Sequence, residues 1–471
     1  MLTGLLVDLA VIVVLLAGIA QFRTPPGARR GNWTAALALA GALAVVLYRH
    51  RLQDVPLVVV VSALGVLIGA WVAVRVTMIQ IPAMVAFQHG AGGVAAFLVA
   101  YVELTRSGRE PLTAAAEIAA LLGLIVGAGT FSGSLVASGK LANRLRQTPT
   151  VLPGHNAILV ALAVVLGALG IWAAFLGAGI SLCVVLTILI VGSAALGIVF
   201  AVRIGGADMP VLISFLNATA GLAAALCGVA IGNRLLIACG ATVAASGSIL
   251  THVMCRGMNR GLASVFTGIK ARPAAAPMAP SSIRPDPAAD VAEAVSPAGD
   301  ADPISRSVEL LREARRVIVI PGYGMALADA QEEVVRLGER LVELGKEVKF
   351  AVHPVAGRMP GHMHVLLAEA EVDYGRLYEL KDINHEFAET DIAIIVGACD
   401  VVNPAATERS DTPISGMPIL KAHEARHVVV CNLDERPGYS GVANPLYGYA
   451  KTVLVWGDAQ ETIGRIRAGL S

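Results

Sequence analysis

Charge is scarce in this chain. Only 15% of its 471 residues are Asp, Glu, Lys or Arg, and aromatic residues make up 5%. Soluble domains carry about a quarter charged residues, so a surface exposed to water along the whole chain is excluded. What charge exists nearly cancels, leaving a formal net charge of +1. No basic stripe is present to neutralise phosphates, which argues against a nucleic acid partner. Cysteines number six, and no two form a C-x-x-C pair. No metal site is therefore expected, and nothing marks an oxidising compartment.

Apolar sequence is abundant and unevenly spread, with a mean hydropathy of +0.69. Up to residue 257 the chain is a series of apolar runs with short polar breaks; beyond residue 303 it has charged helical stretches and short β-branched runs. Crossing the hydrocarbon core takes about 20 helical residues. Nine stretches qualify: 4–21, 33–48, 55–74, 83–102, 112–138, 155–177, 179–202, 208–231 and 234–255. The first lacks a charged leader and a small-residue cleavage site, so it reads as a span rather than a removable signal. Dense glycine and alanine, as in "GLIVGAGTFSGS", suit close helix contact in lipid.

Orientation follows from the basic residues in the breaks. Arg23, Arg29, Arg30, Arg75, Lys140, Arg144, Arg146 and Arg203 follow the odd-numbered spans up to the seventh. Arg49, Arg51, Arg106, Arg109 and Arg234 follow the even ones. The richer set, with Arg256 and Arg260, should be cytoplasmic. That places the N-terminus outside and the C-terminal domain inside.

The expected organisation is a membrane domain over 1–262, a linker over 263–303 and a soluble domain over 304–471. The stretch 271–303 is rich in alanine and proline and has no periodic pattern, as a linker should be. In the soluble part "RRVIVIPG", "EVKFAVHP", "IAIIVGAC", "HVVVCNL" and "TVLVWGD" read as strands. The stretch "ALADAQEEVVRLGERLVELGKE" has the period of a helix. Such alternation predicts a Rossmann-like α/β domain with a doubly wound parallel sheet.

Gly322-Tyr323-Gly324 follows the first strand directly and precedes a helix. A dinucleotide's pyrophosphate settles at such a turn; a bare tight turn is the plainer alternative, and the third fingerprint position is Leu327. After the second strand an ordinary NAD site presents an acid to the ribose, whereas this chain offers His353 and Arg358. In the membrane part, His89 in "MVAFQHGAGG" sits inside an apolar run beside Gly90, Gly92 and Gly93. An imidazole in lipid is costly unless it meets water or a partner, and it exchanges protons near neutral pH. It either packs against a neighbouring helix or carries protons.

Several ordered segments together resemble the β subunit of the proton-translocating NAD(P) transhydrogenases. They are "GTFSGSLVASGKL", "GADMPVLISFLNATAG", "SGSILTHVMCRGMNR", "GYGMALADAQ", "HPVAGRMPGHM", "INHEFAETDIAIIVGACDVVNPAA", "SGMPIL" and "GYSGVANPLY". The resemblance implies NADP(H) in the soluble domain and NAD(H) on a separate α subunit. Direct, Re/Si-specific hydride transfer between them would be coupled to proton passage through the helices. It further implies a multi-pass protein of the inner (cytoplasmic) membrane, surrounded by lipid and working as a dimer of αβ assemblies.

Residue by residue, the resemblance carries nucleotide contacts to Gly322, Tyr323 and Gly324, and to Val355, Ala356, Gly357, Arg358, Met359 and Pro360. It also carries them to Gly397, Ala398, Cys399, Asp400, Val401, Gly416, Met417, Asp458 and Ala459. A lid is implied over Asn432, Leu433, Asp434, Glu435, Arg436, Pro437, Gly438 and Tyr439. His89, Asn217, Asp208 and Ser134 match positions tied to the proton path, and Asp400 is counted with the catalytic set as well. Asp208 reads equally as a helix cap. Glu117 is a secondary candidate and His252 is interfacial.

One departure stands out. Many relatives carry Lys-Arg-Ser in the lid to hold the 2′-phosphate, and this chain has Asn432-Leu433-Asp434. NADP is still expected to be preferred, with Arg436 or another nearby base supplying the missing charge. The rival reading is a nucleotide sensor whose domain gates a pore without redox chemistry. A neighbouring reading frame encoding an NAD(H)-binding subunit discriminates the two.

Overall fold

The computed structural model describes residues 2–21, 25–49, 55–77, 80–106, 112–146, 149–176, 179–205, 208–257, 261–267, 302–357, 361–410 and 412–470. Among the described residues nine long helices come first: α1 (Leu2–Ala20), α2 (Pro25–Arg49), α3 (Val55–Arg75), α4 (Ile81–Thr105), α5 (Ala114–Leu141), α6 (His155–Ala174), α7 (Ile180–Val202), α8 (Met209–Ala230) and α9 (Arg234–Gly257). Eight of the helices among the described residues are long and apolar enough to cross a membrane, α2 counting from Arg29. In α1 the apolar stretch is shorter, Gly4–Ala20. The chain is a multi-pass membrane protein, and the span boundaries fall within a few residues of the hydropathy pattern except at the start of α2.

The membrane helices pack where side chains vanish. A methyl group built on Gly93 of α4 would stand 2.6 Å from the Gly127 carbonyl of α5, and one on Gly127 would stand 2.8 Å from the Gly93 carbonyl. The two backbones therefore touch, which only glycine permits. Helix α5 begins with Thr113, whose hydroxyl accepts the Ala116 N–H at 3.3 Å. Glu117 lies in the first turn of α5, where an acid complements the helix dipole. It sits at the mouth of the span rather than inside it.

An ion pair joins α1 to α2. Arg49, the last residue of α2, donates to the buried Asp8 carboxylate at 2.6 Å and to the Gly4 carbonyl at 2.7 Å. At the other end of this antiparallel pair, a methyl on Gly18 would stand 3.0 Å from the Ala35 nitrogen.

The remaining elements are α10 (Leu262–Thr267), α11 (Pro303–Glu313), β1 (Arg316–Pro321), α12 (Tyr323–Leu327), α13 (Gln331–Glu343), β2 (Glu347–Val352), α14 (His362–Glu369), β3 (Leu377–Glu379), α15 (Leu380–Ile383), β4 (Ile392–Val396), α16 (Ala405–Glu408), β5 (His427–Asn432), β6 (Thr452–Trp456) and α17 (Ala459–Gly469). The sheet is parallel throughout, in the order β3-β2-β1-β4-β5-β6. That is a doubly wound sheet whose order reverses between β1 and β4, where ligands of open sheets bind. Strands β4 and β5 are buried along almost their whole length, as expected of strands covered on both faces.

By its contacts the chain divides into two compact units. One comprises Met1–Arg146, Thr150–Arg203 and Leu212–Leu250; the other comprises Gln147–Pro149, Ile204–Val211 and Thr251–Ser471. Within the second, Val211, Met254, Cys255 and Val265 form a small apolar cluster, with Phe266 and Val355 packed against it.

Candidate functional site

The carboxyl ends of β1 and β4 end in turns that interlock. Gly322 N–H donates to the Val396 carbonyl and Gly324 N–H to the Gly397 carbonyl, both at 2.8 Å. A methyl on Gly324 would stand 2.7 Å from the Gly397 Cα, and one on Gly397 would run into the Met325 nitrogen. Gly397 also has φ +66°, a left-handed conformation that a Cβ disfavours. The sequence pattern assigned these glycines to room for a pyrophosphate, but the structure gives them a prior task, the contact between the two turns. The helix behind the turn is shorter than the periodicity implied. Asp329, at φ +52°, separates α12 from α13.

A cleft of about 360 Å³ opens over this junction. It is lined by Gly322, Tyr323, Gly324, Val355, Ala356, Gly357, Gly397, Ala398, Cys399, Asp400, Val401, Met417, Pro437, Gly438 and Tyr439. Leu327 and Ile414 also line it, an apolar contribution for which the pattern gave no sign. Arg358, Met359 and Pro360 lie outside the described residues. Gly416 borders an adjoining cleft.

Asn432 stands behind the cleft wall. Its Nδ2 donates to the Ala398 carbonyl at 3.0 Å and to the Tyr447 hydroxyl at 2.9 Å. Its Oδ1 is buried without a partner among the described residues. Asp458 caps α17, accepting the N–H groups of Gln460 and Glu461 at 2.9 and 3.2 Å. Neither Asp458 nor Ala459 lines the cleft.

His353 is spoken for. Its Nδ1 accepts the Val355 N–H at 3.2 Å, so Nε2 carries the proton and donates to the Pro418 carbonyl at 2.7 Å. Burial pushes its pKa down to about 4, with the carbonyl opposing. The ring ties two walls of the cleft together and is not free for a ribose.

Asp400 is the one charged side chain among the described residues lining the cleft. Burial raises its pKa, and two hydrogen bonds from Ser440 oppose the rise. Burial likewise pushes the Cys399 thiol up, so it is not poised as a thiolate. The lid carries Tyr439 to 6.0 Å from the Tyr323 ring, centroid to centroid. Leu433 is 74% exposed. Arg436 is paired with Asp434, its Nε 3.5 Å from Oδ2 and its N–H donating to Oδ1 at 3.0 Å. Glycine turns and two tyrosine rings, Tyr323 and Tyr439, in the cleft lining fit a dinucleotide. A second cleft of about 340 Å³ is lined by Glu339, Glu343, Glu371 and Asp373 against one cation, Arg376, an excess of carboxylates that disfavours a phosphate.

In the membrane unit, Gly90, the residue after His89 on α4, lies against Ser134 of α5. A methyl on Gly90 would stand 3.2 Å from the Ser134 Cβ. Asn217 lies on α8, beside Leu216, whose side chain meets Gly133 next to Ser134. Thr130 of α5 also donates to Thr219 of α8 at 2.9 Å. Asp208 precedes α8, its N–H donating to the Gly205 carbonyl at 3.1 Å, and His252 is exposed on α9.

Most intramembrane hydroxyls here donate to a carbonyl of their own helix, as Thr105, Ser132, Thr187, Thr242 and Ser248 do. The buried Ser134 Oγ, Ser193 Oγ and His89 Nδ1 have no partner among the described residues. By contrast, both ring nitrogens of His155 are engaged, by the Leu152 N–H and the Val199 carbonyl.

Comparison with known proteins covers both regions at once. The family model for the NAD(P) transhydrogenase beta subunit matches residues 5–468. The NAD(P) transhydrogenase subunit beta of Rhodospirillum rubrum is 38% identical over 464 residues, covering 96% of each chain. One continuous match thus spans the histidine-bearing bundle and the cleft at the sheet's switch point, and the chain belongs to the NAD(P) transhydrogenase beta subunit family.

Proposed function

We propose that this chain binds NADP(H) in the cleft above β1 and β4 and works with an NAD(H)-binding α subunit. Hydride passes directly between the two nicotinamides, in the Re/Si-specific manner, while protons cross through α4, α5 and α8. The observation that carries this reading is a single family match from residue 5 to residue 468. When bound, the nicotinamide supplies the hydride chemistry. The chain's residues do the rest: the glycine turns and Tyr323 seat the dinucleotide, the lid excludes water, and His89 takes and releases a proton at Nδ1. The protein then sits in the inner membrane with residues 304–471 on the cytoplasmic side, joined to the membrane domain (1–262) by the linker. It assembles as a dimer of αβ units.

The test is reconstitution of the full chain with its α subunit in vesicles. NADP⁺ reduction by NADH should accelerate when a proton gradient is imposed. Nucleotide-gated ion flux without hydride transfer would instead make the protein a sensor.

The lid sets cofactor preference. An exposed pair such as Arg436–Asp434 is worth about 0–1 kcal/mol, so Arg436 can leave it for a 2′-phosphate. Arg436→Ala should weaken NADP(H) binding by about tenfold, the equivalent of one charge-assisted hydrogen bond, and leave NAD(H) unaffected. Asp434→Asn should strengthen NADP(H) binding by freeing the guanidinium. Calorimetry on the detergent-solubilised chain reads both. Unchanged NADP(H) affinity in Arg436→Ala would give the role to another base.

A further inference from the structure

The lid must be held down as well as supplied with charge. Its residues are largely exposed from Leu433 to Tyr439. Asn432 anchors it at one end, as described above. At the other end stands Ser440, which lies within "GYSGVANPLY" but is given no role by the resemblance.

Ser440 engages both oxygens of one carboxylate. Its Oγ–H donates to Asp400 Oδ1 at 2.6 Å, and its backbone N–H donates to Oδ2 at 3.0 Å. The hydroxyl also accepts the Val442 N–H at 3.1 Å, so its one proton is committed to Asp400. Gly438 is pressed against the same carboxylate, and a methyl there would stand 2.8 Å from Oδ2. The chain beyond is pinned in turn: Asn444 Nδ2 donates to the Cys399 carbonyl at 3.2 Å.

Asp400 lies in the turn after β4, at the floor of the cleft. The lid descends from β5. The two bonds therefore join the segment after β5 to the turn after β4, and charge-assisted bonds of this kind are about twice as strong as neutral ones.

We propose that Ser440 is a positioning residue that latches the lid to Asp400 and so sets how long the dinucleotide stays bound. The inference rests on the reading of the cleft as a dinucleotide site. It makes Asp400 a lid anchor in addition to a wall of the site. Ser440 touches no reacting atom and acts on release and binding.

The experiment measures NADPH release from the full detergent-solubilised chain, chased with excess NADP⁺ and followed by nucleotide fluorescence. Ser440→Ala keeps the backbone bond and loses the hydroxyl bond; release should quicken about tenfold, with the thermal midpoint of the apo protein unchanged. Ser440→Thr keeps a hydroxyl and should restore slow release. In Asp400→Asn the Ser440→Ala change should add little, because residues in one contact are not additive.

An unchanged release rate in Ser440→Ala overturns the latch, as does full additivity with Asp400→Asn. A wild-type chain that retains no dinucleotide overturns both the latch and the functional reading. Tight wild-type binding with an unaltered Ser440→Ala rate removes the latch alone.

Discussion

His89→Ala, reconstituted with its α subunit in vesicles, should lose proton pumping and most reverse transhydrogenation, a fall on the order of 10²-fold as for loss of a proton-transfer group. Cyclic hydride exchange through bound NADP(H), which needs no net proton transfer, should survive better. The reason lies in what the three contrasted histidines do with their nitrogens. His155 and His353 have both nitrogens engaged and hold neighbouring segments together. His89 has a buried Nδ1 with no partner among the described residues, at a level where Ser134 Oγ is also unpaired. A packing histidine would be expected to find a carbonyl. A relay histidine must keep a nitrogen open. Proton uptake per NADPH oxidised is the deciding measurement, and a ratio equal to wild type, with only expression or thermal stability lowered, would return His89 to the packing.

Gly324→Val should abolish dinucleotide binding and also cost the α/β unit about 3 kcal/mol or more of stability, in the range of forced overpacking in a tight core. Gly397→Ala should behave alike, because its Cβ meets the backbone of Gly324 and Met325 and its φ is positive. Thermal unfolding of the full chain together with calorimetry separates two explanations. If Gly324→Ala keeps the wild-type unfolding midpoint and loses only binding, the glycine's task is room for the pyrophosphate. If midpoint and binding fall together, the interlocked turns are what the glycine protects, as the 2.7 Å approach implies.

The spans were legible because twenty apolar residues in a row leave little else to be. Strands β1, β2, β4, β5 and β6 were legible as β-branched runs between turn residues. Strand β3 was not: Leu377–Glu379 is three residues long at the sheet edge, with no apolar run to announce it. The break at Asp329 was hidden because the helical period continues through it. In the cleft the turns after β1, β2 and β4 were found by motif, and the structure brings them to one place. Ser440 was missed since a lone serine carries no spacing signal; only the fold brings it to Asp400, forty residues away. Asp8 escaped for a similar reason, as its partner lies at the far end of the next helix. For His353 the sequence gives only its place after a strand, because a histidine there looks the same whether its nitrogens are engaged or free.

The Asp8–Arg49 pair has a consequence for biogenesis. The two residues are 41 positions apart, so Asp8 leaves the ribosome well before Arg49 does. An unpaired acid costs about 2.5–3.5 kcal/mol at the centre of an inserting helix and less toward its end, and Asp8 stands in the second turn of α1. Helix α1 is also the short one, with an apolar stretch of Gly4–Ala20. It is therefore a poor candidate for integration alone and a good one for entry as a hairpin, with α2 bringing Arg49 to the same face of the membrane as the N-terminus. The order of synthesis and the order of insertion then differ by one helix: α1 waits at the translocon until α2 arrives.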